Sequence, residues 1–405
     1  MGAEEEATMN DLLLTNVRPL GEAARDILVQ SGRIAEVGAG LSLAGGHGEV
    51  VDGGGQLAIP GLVDVHAHLD KTLWGLPWRP HTAGPGLAGL IENEHRGRAE
   101  LAGRGISVAE RAGNLLRAYV AAGTSHIRSH VDVDTVAGLT SLEGVMEARE
   151  AFADQITIEL VAFPQSGLLV RPGTVELLEA AARAGAELVG GLDPAGYDRR
   201  PTEHLDAIFA IADRYGCGLD IHLQDPGELG TFQVELIIER TRALGLAGKV
   251  SISHAFCLAQ IPEARLDRLV EGLAEQRVSI ATVAPGNAPL PPLASLRAAG
   301  VEVALGSDGI RDLWSPWGNG DLLERASLLA YRSGFRRDEE LAAALELATF
   351  AGARVLGLDG YGLEPGCHAD LTLVPAETIG EAVVVHPARS LVVKQGRLIA
   401  PSAGI

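Results

Sequence analysis

Between residues 61 and 308 the chain repeats one pattern eight times: a short apolar run ending in a polar residue, then a longer Ala/Leu/Glu/Arg-rich stretch. The runs are GLVDVHAHLD (61–70), HIRSHVDVD (126–134), TIELVAFPQ (157–165), LVGGLDPA (188–195), GLDIHLQD (218–225), KVSISHAF (249–256), VSIATVAP (278–285) and VEVALGSD (301–308). Short strands alternating with helical segments predict βα units and a parallel sheet. Eight such units over residues 61–359 match the repeat number and size of a (β/α)8 TIM barrel. An open doubly wound sheet is the competing architecture, but it would gather polar strand ends at one switch point only. A barrel brings the C-terminal ends of all its strands to one mouth, and here nearly every run carries a His, Asp, Gln or Asn at that end.

The flanks read differently. LLLTNVRPL, ARDILVQSGRIAEVG and GEVVDGGGQLAIPG near the start, and ADLTLVPAE and AVVVHPARSLVVKQGRLIA near the end, are short strands between glycine turns. Residues 9–60 and 360–405 are therefore expected to form one small β-sandwich domain from both termini, with residues 61–359 as the catalytic α/β barrel. A hydrophobic share of 46% in 405 residues is enough to bury a core of this size.

Charge and composition then exclude whole classes of function. A formal charge of -20 repels phosphate backbones, so nucleic acid is not an expected partner. No run of eighteen apolar residues occurs, so no membrane span is expected. The start, MGAEEEATMN, is acidic where a secretory signal is basic. Cys217, Cys257 and Cys367 are an odd, sparse set with no paired spacing, as a reducing compartment permits. A cytoplasmic protein is the expectation, with a small molecule as its partner; a homo-oligomer is compatible with the sequence.

His66 and His68 form an H-x-H pair at the end of the first run, and a spacing of two puts both imidazoles on one face of a strand. His222, His254 and Asp308 follow the apolar parts of the fifth, sixth and eighth runs. Each has a structural alternative taken singly: a strand-end histidine can bond a backbone carbonyl, and Asp308 can cap the next helix. Five at equivalent positions of one barrel converge. Neutral imidazoles and one carboxylate suit a single Zn2+ or Fe2+ ion with room for a water, whose pKa such an ion lowers to about 7.

IPGLVDVHAHLDKT, the strand-end histidines and the final SD resemble the amidohydrolase superfamily over essentially the whole chain. RSHVDVD, VAFPQSG, VGGLDPA, SHAFC and SDGIRDLWSPWGNGD are similar to its cytosine deaminase group, and closer still to a triazine-ring hydrolase of that group. The resemblance implies His66, His68, His222 and Asp308 as metal ligands and His254 as the residue orienting the water. It implies Gln165 as the reader of a ring amide edge, since a carboxamide offers both a donor and an acceptor. Lys71 has a counterpart that would donate to a substrate carbonyl; its alternative is a solvated loop lysine. The fourth run lacks the lysine that bridges two metals in binuclear members, which implies one ion. Asp193 in that run either faces the pocket or starts a turn with Pro194. Trp314 and Trp317 would wall a flat ring, with Trp74 and Trp78 as weaker candidates for the same part.

Two positions depart from the group. Asp225 stands where cytosine deaminases carry the glutamate that passes protons to ring and leaving group, and Gln224 stands where the triazine enzyme has a histidine. The expected activity is hydrolytic removal of an amino or alkylamino group from a cytosine-like or s-triazine heterocycle, with Asp308 taking the proton of water and Asp225 delivering one to the leaving amine. Cleavage of a cyclic or acyclic amide at the same site is the alternative, and a metal-binding protein without catalysis is the third.

Overall fold

The computed structural model describes residues 11–43, 47–84 and 86–399. The acidic stretch 1–10 lies outside the described residues, as do positions 400–405 of the expected β-domain. Five strands come first: β1 (Leu12–Pro19), β2 (Arg25–Gln30), β3 (Arg33–Gly38), β4 (Glu49–Asp52) and β5 (Leu57–Pro60). Eight more follow, one in each apolar run: β6 (Leu62–Ala67), β7 (Thr124–Asp132), β8 (Thr157–Phe163), β9 (Leu188–Leu192), β10 (Gly218–Leu223), β11 (Val250–His254), β12 (Ser279–Thr282) and β13 (Val303–Leu305). β14 (Leu371–Val374), β15 (Leu391–Lys394) and β16 (Arg397–Ile399) complete the set.

β6 to β13 pair in chain order, each parallel to the next. The ring closes where the Asp308 N–H donates to the His66 carbonyl at 2.8 Å and Ala67 bridges Asp308 in parallel. Helices cover the outside, so these strands are buried on both faces, which is why they read as near-continuous apolar runs. Gly306 makes the closure possible: a Cβ there would lie 2.5 Å from the His66 Cβ and 2.7 Å from its carbonyl oxygen.

The termini form one eight-stranded mixed sheet in the order β16-β15-β14-β5-β1-β2-β3, with β4 also paired to β1. β1 serves both halves, running parallel to β4 through Leu12–Thr15 and to β5 through Arg18 and Pro19. An irregularity in its register between Leu14 and Val17 separates the two stretches. Leu14, Val17, Ile27 and Val29 of one half share an apolar core with Ala58, Leu371, Leu373 and Val393 of the other. Lys394 fastens this sheet to the base of the barrel, donating to the Ser125 carbonyl at 3.1 Å and to Asp370 Oδ2 at 2.8 Å. Among the described residues no helix is long and apolar enough to cross a membrane.

Candidate functional site

The strand ends bring His66, His68, His222, His254 and Asp308 to one mouth of the barrel. His66 Nε2 lies 3.7 Å from Asp308 Oδ1, and His68 Nε2 lies 3.4 Å from the same oxygen. His68 Nε2 and His222 Nε2 face each other at 3.4 Å. Bonds of about 2.0–2.1 Å around a tetrahedral ion put neighbouring ligand atoms roughly 3.3–3.4 Å apart, so these three contacts have about the spacing of neighbouring ligands. His66 Nε2 is buried with no hydrogen-bond partner. A buried imidazole nitrogen in that condition is costly unless something accepts its lone pair. The residues present fit a divalent cation.

One relay sets which nitrogen of His66 is free. The Ser253 hydroxyl donates to Asp220 Oδ1 at 2.6 Å, which leaves its oxygen to accept from His66 Nδ1–H at 2.7 Å. The proton is thereby held on Nδ1 and the lone pair on Nε2. Asp220 is itself held by Arg128 Nη1 at 3.1 Å. Burial opposes ionisation of Asp220, but the neighbouring His130 and Arg128 outweigh it and keep the carboxylate below its ordinary range.

Electrostatics give the other groups the protonation a metal requires. Burial, and then Lys71, push His68 well below the usual imidazole value; burial and the surrounding imidazoles do the same to His222. Burial brings His254 down to about 4 despite the opposing charge of Asp308. Burial would raise Asp308, but the adjacent histidines, His66 and His68 first, prevail and hold it well below the usual carboxylate range. Neutral imidazoles and an ionised carboxylate are the ligand-competent forms. His254 and Asp308 also hold positive backbone φ, 72° and 62°, which costs a non-glycine residue of order 1–3 kcal/mol and collects at functional sites.

His68, His222, His254 and Asp308 form the floor of a cavity of about 810 Å³, lined also by Lys71, Gln165, Gln224, Trp314 and Trp317, with His66 buried behind them. Lys71 is buried, which removes the solvated-loop alternative. Its ammonium donates to Gln165 Oε1 and lies 3.1 Å from Asp132 Oδ1 and 3.9 Å from Glu94 Oε2. Arg98 completes the group, pairing with Asp132 and, at 2.5 Å, with Glu94. Trp314 is fixed as a wall by its Nε1–H, which donates to Glu94 Oε2 at 2.5 Å, while Trp317 stands 75% exposed at the rim.

Four expected residues are placed elsewhere. Asp225 and Asp193 are not among the described residues lining the cavity. Asp225 Oδ2 accepts from the Gly196 N–H and from Gln233 Nε2, both at 2.8 Å, and a Cβ on Gly196 would overlap its Oδ1. Asp193 Oδ1 accepts from the Gln224 and Asp225 amides at 2.6 and 3.2 Å, bracing the end of β10, and burial beside Asp225 raises it to about 7. Trp74 and Trp78 stack against Arg311, at 5.3 and 5.5 Å, and do not line this cavity. His130 is a member the sequence reading passed over: it groups with His66, His68 and His222, its ring centroid 4.3 Å from that of His66, and burial lowers it to about 4.

Residues 49–400 match the sequence profile of the amidohydrolase family. N-isopropylammelide isopropyl amidohydrolase of Pseudomonas sp. (strain ADP) is 33% identical over 387 residues, covering 93% of this chain and 94% of its own length. The crystal structure of N-isopropylammelide isopropylaminohydrolase from Burkholderia multivorans superposes with a TM-score of 0.92 at 48% identity, covering 96% of this chain and 98% of that one. The 5-methylcytosine deaminase of Klebsiella pneumoniae, crystallised with 5-fluorocytosine, superposes with a TM-score of 0.83 at 26% identity, covering 97% and 98%.

Proposed function

The chain belongs to the amidohydrolase family, and from that premise we propose that it hydrolytically removes an amino or alkylamino group from a nitrogen heterocycle of the pyrimidine or s-triazine class. The observation that carries the reading is the chain of ligand-spaced contacts among His66 Nε2, His68 Nε2, His222 Nε2 and Asp308 Oδ1, of which His68, His222 and Asp308 line an 810 Å³ cavity. A single Zn2+ or Fe2+ ion held by these residues supplies Lewis acidity and a water whose pKa is lowered to about 7.

The chain's own groups do the rest. Asp308 keeps 38% of its side-chain surface open, and as an ionised carboxylate on the cavity floor it accepts the proton of the attacking water. His254 lines the cavity with neither ring nitrogen bonded to the protein, and as a neutral imidazole it offers one donor to the oxygen that gains charge. Lys71 and Gln165 grip the ring edge, and Trp314 covers its face. Asp225, tied to Gly196 and Gln233, serves here as a brace between the loop after β9 and the helix Gly227–Ala243. Proton return to the leaving amine then falls to Asp308, which took the proton of water, with His254 beside it.

The test is a panel of aminopyrimidines, aminotriazines and cyclic ureas, scored for ammonia or alkylamine release by metal-analysed protein. Amine release without ring opening is expected, and His222→Ala is expected to lose both metal and turnover. Metal-replete protein inert on the whole panel, or His222→Ala with full metal and full activity, would overturn the proposal.

A further inference from the structure

We propose that the Lys71–Gln165 wall selects a ring edge with two adjacent hydrogen-bond acceptors, a carbonyl oxygen beside a ring nitrogen bearing a lone pair, and rejects the lactam edge in which that nitrogen carries hydrogen. The inference rests on reading the cavity as a site for nitrogen heterocycles.

A free carboxamide presents one donor side and one acceptor side, so glutamine alone matches a lactam N–H/C=O edge. Here the carboxamide is not free. Lys71 Nζ is bonded to it, and an ammonium has donors only. The atom facing Lys71 must therefore be the carbonyl oxygen, and the alternative amide flip would set donor against donor. What remains on the cavity side is Gln165 Nε2, which bonds no described residue, together with whatever Lys71 N–H the carboxylates leave.

Neither carboxylate that pairs with Lys71 reaches past it to the cavity, and of Asp312, which does line the cavity, Oδ1 is taken by the Trp314 and Ser315 amides at 2.8 and 2.6 Å. Asp132 faces Lys71 and Arg98, Glu94 faces Lys71, Arg98 and Trp314 Nε1, and neither carboxylate lines the cavity. Arg98 shares both carboxylates with Lys71, and Lys71 keeps its bond to Gln165 within this group. Lys71 and Gln165 are each 4% exposed. A substrate N–H brought against this wall leaves donors on both sides unpaired in a place water barely reaches, whereas a lone-pair nitrogen satisfies one.

Calorimetry on the metal-loaded protein tests this with two tautomer-locked rings that carry no amino leaving group. In 1-methylpyrimidin-2-one the carbonyl is flanked by a bare nitrogen; in 1-methyl-3,4-dihydropyrimidin-2-one it is flanked by an N–H. The first is expected to bind at least about tenfold more tightly. Gln165→Glu, which keeps one oxygen for Lys71 and turns the other into the cavity, should cancel or reverse that preference, and Gln165→Met should abolish it. A wild-type ratio below tenfold, including no measurable binding of either ring, overturns the proposal, as does a preference that survives in both variants. Amine release from the aminoheterocycle panel is scored on the same sample. Release without edge preference removes this inference and leaves the hydrolase; preference without release does the reverse.

Discussion

Replacing Ser253 with alanine isolates what the Asp220–Ser253–His66 relay contributes. The change removes one oxygen, and with it the acceptor 2.7 Å from His66 Nδ1 and the donor 2.6 Å from Asp220 Oδ1. Both partners are fully buried, so each loses a bond that water does not replace, at about 1–3 kcal/mol for an unmet buried group. Asp220 keeps Arg128 at 3.1 Å, which places the stability loss of the metal-free protein toward the lower end of that range. The larger signature is expected in metal affinity. Without the serine oxygen nothing holds the proton on Nδ1, and loss of such an outer partner weakens binding about 10–100-fold, or about 1.4–2.7 kcal/mol. Competition against a chelator of known affinity reads the metal affinity, and urea unfolding of the metal-free protein reads the stability. Ser253 does not line the cavity, so turnover per bound metal at saturation should stay within about threefold of wild type, well under the tenfold that 1.4 kcal/mol represents. An affinity unchanged within twofold would refute the relay; a collapse of turnover per bound metal would show that Ser253 touches the chemistry itself.

Gly306→Ala should cost about 1–3 kcal/mol of overpacking and lower metal content as well, because the new Cβ is aimed at His66; an unchanged unfolding midpoint would contradict the closure described above. Trp314→Phe keeps the wall but drops the bond to Glu94, so KM should rise several-fold with little change in kcat, and steady-state kinetics on a turned-over heterocycle decide it. His126, beside Lys394 and Asp370 at the base of the barrel, is driven to about 3 by burial and then by Lys394. Its folded value lies below the unfolded one of about 6.5, so the unfolded chain binds the extra proton between those values. The stability His126 contributes is whole above pH 6.5 and is lost as pH falls toward 3, by at most about 1.4 kcal/mol per pH unit. Urea midpoints of wild type and His126→Gln should converge over that interval; parallel curves would sink the assignment.

The barrel was legible because its strands are buried on both faces while their ends carry polar groups around the cavity, and that contrast survives in a single sequence as apolar runs with polar tips. The H-x-H pair was legible for the same reason. His130, Asp220 and Ser253 were harder to see. They sit within strands, on the inner face of the ring, where a polar residue every second position looks the same as one facing a helix, and only closure of the barrel tells the two apart. Arg128, His130 and Asp132 share one such face of β7 and are all buried. Asp193 and Asp225 misled in the opposite sense. Both stand at strand ends, but Asp193 takes a φ of 35°, and Asp225 is claimed by Gln233, a residue of the helix Gly227–Ala243 whose proximity the sequence does not encode locally. Gln165 was correctly placed at a strand end, yet its chemical sense depends on Lys71, 94 positions away.

The position of the site within the ring has a structural consequence. His66 and Asp308 belong to the first and last strand ends, and the bond that closes the barrel runs between their backbones at 2.8 Å, while their side chains meet at 3.7 Å. Asp64 reinforces the same seam, its Oδ1 accepting from the amides of His66 at 3.0 Å and Ser307 at 3.1 Å, and its Oδ2 from the Tyr119 hydroxyl at 3.1 Å. β13 contributes only three residues to the sheet, so the ladder itself holds this seam weakly. A cation held by both His66 and Asp308 would join the two ends through their side chains as well, and whatever free energy it gained on binding the folded chain would add to folding stability. The same ion that would serve the chemistry would therefore oppose opening of the barrel at its shortest strand, where closure already holds Asp308 at positive φ.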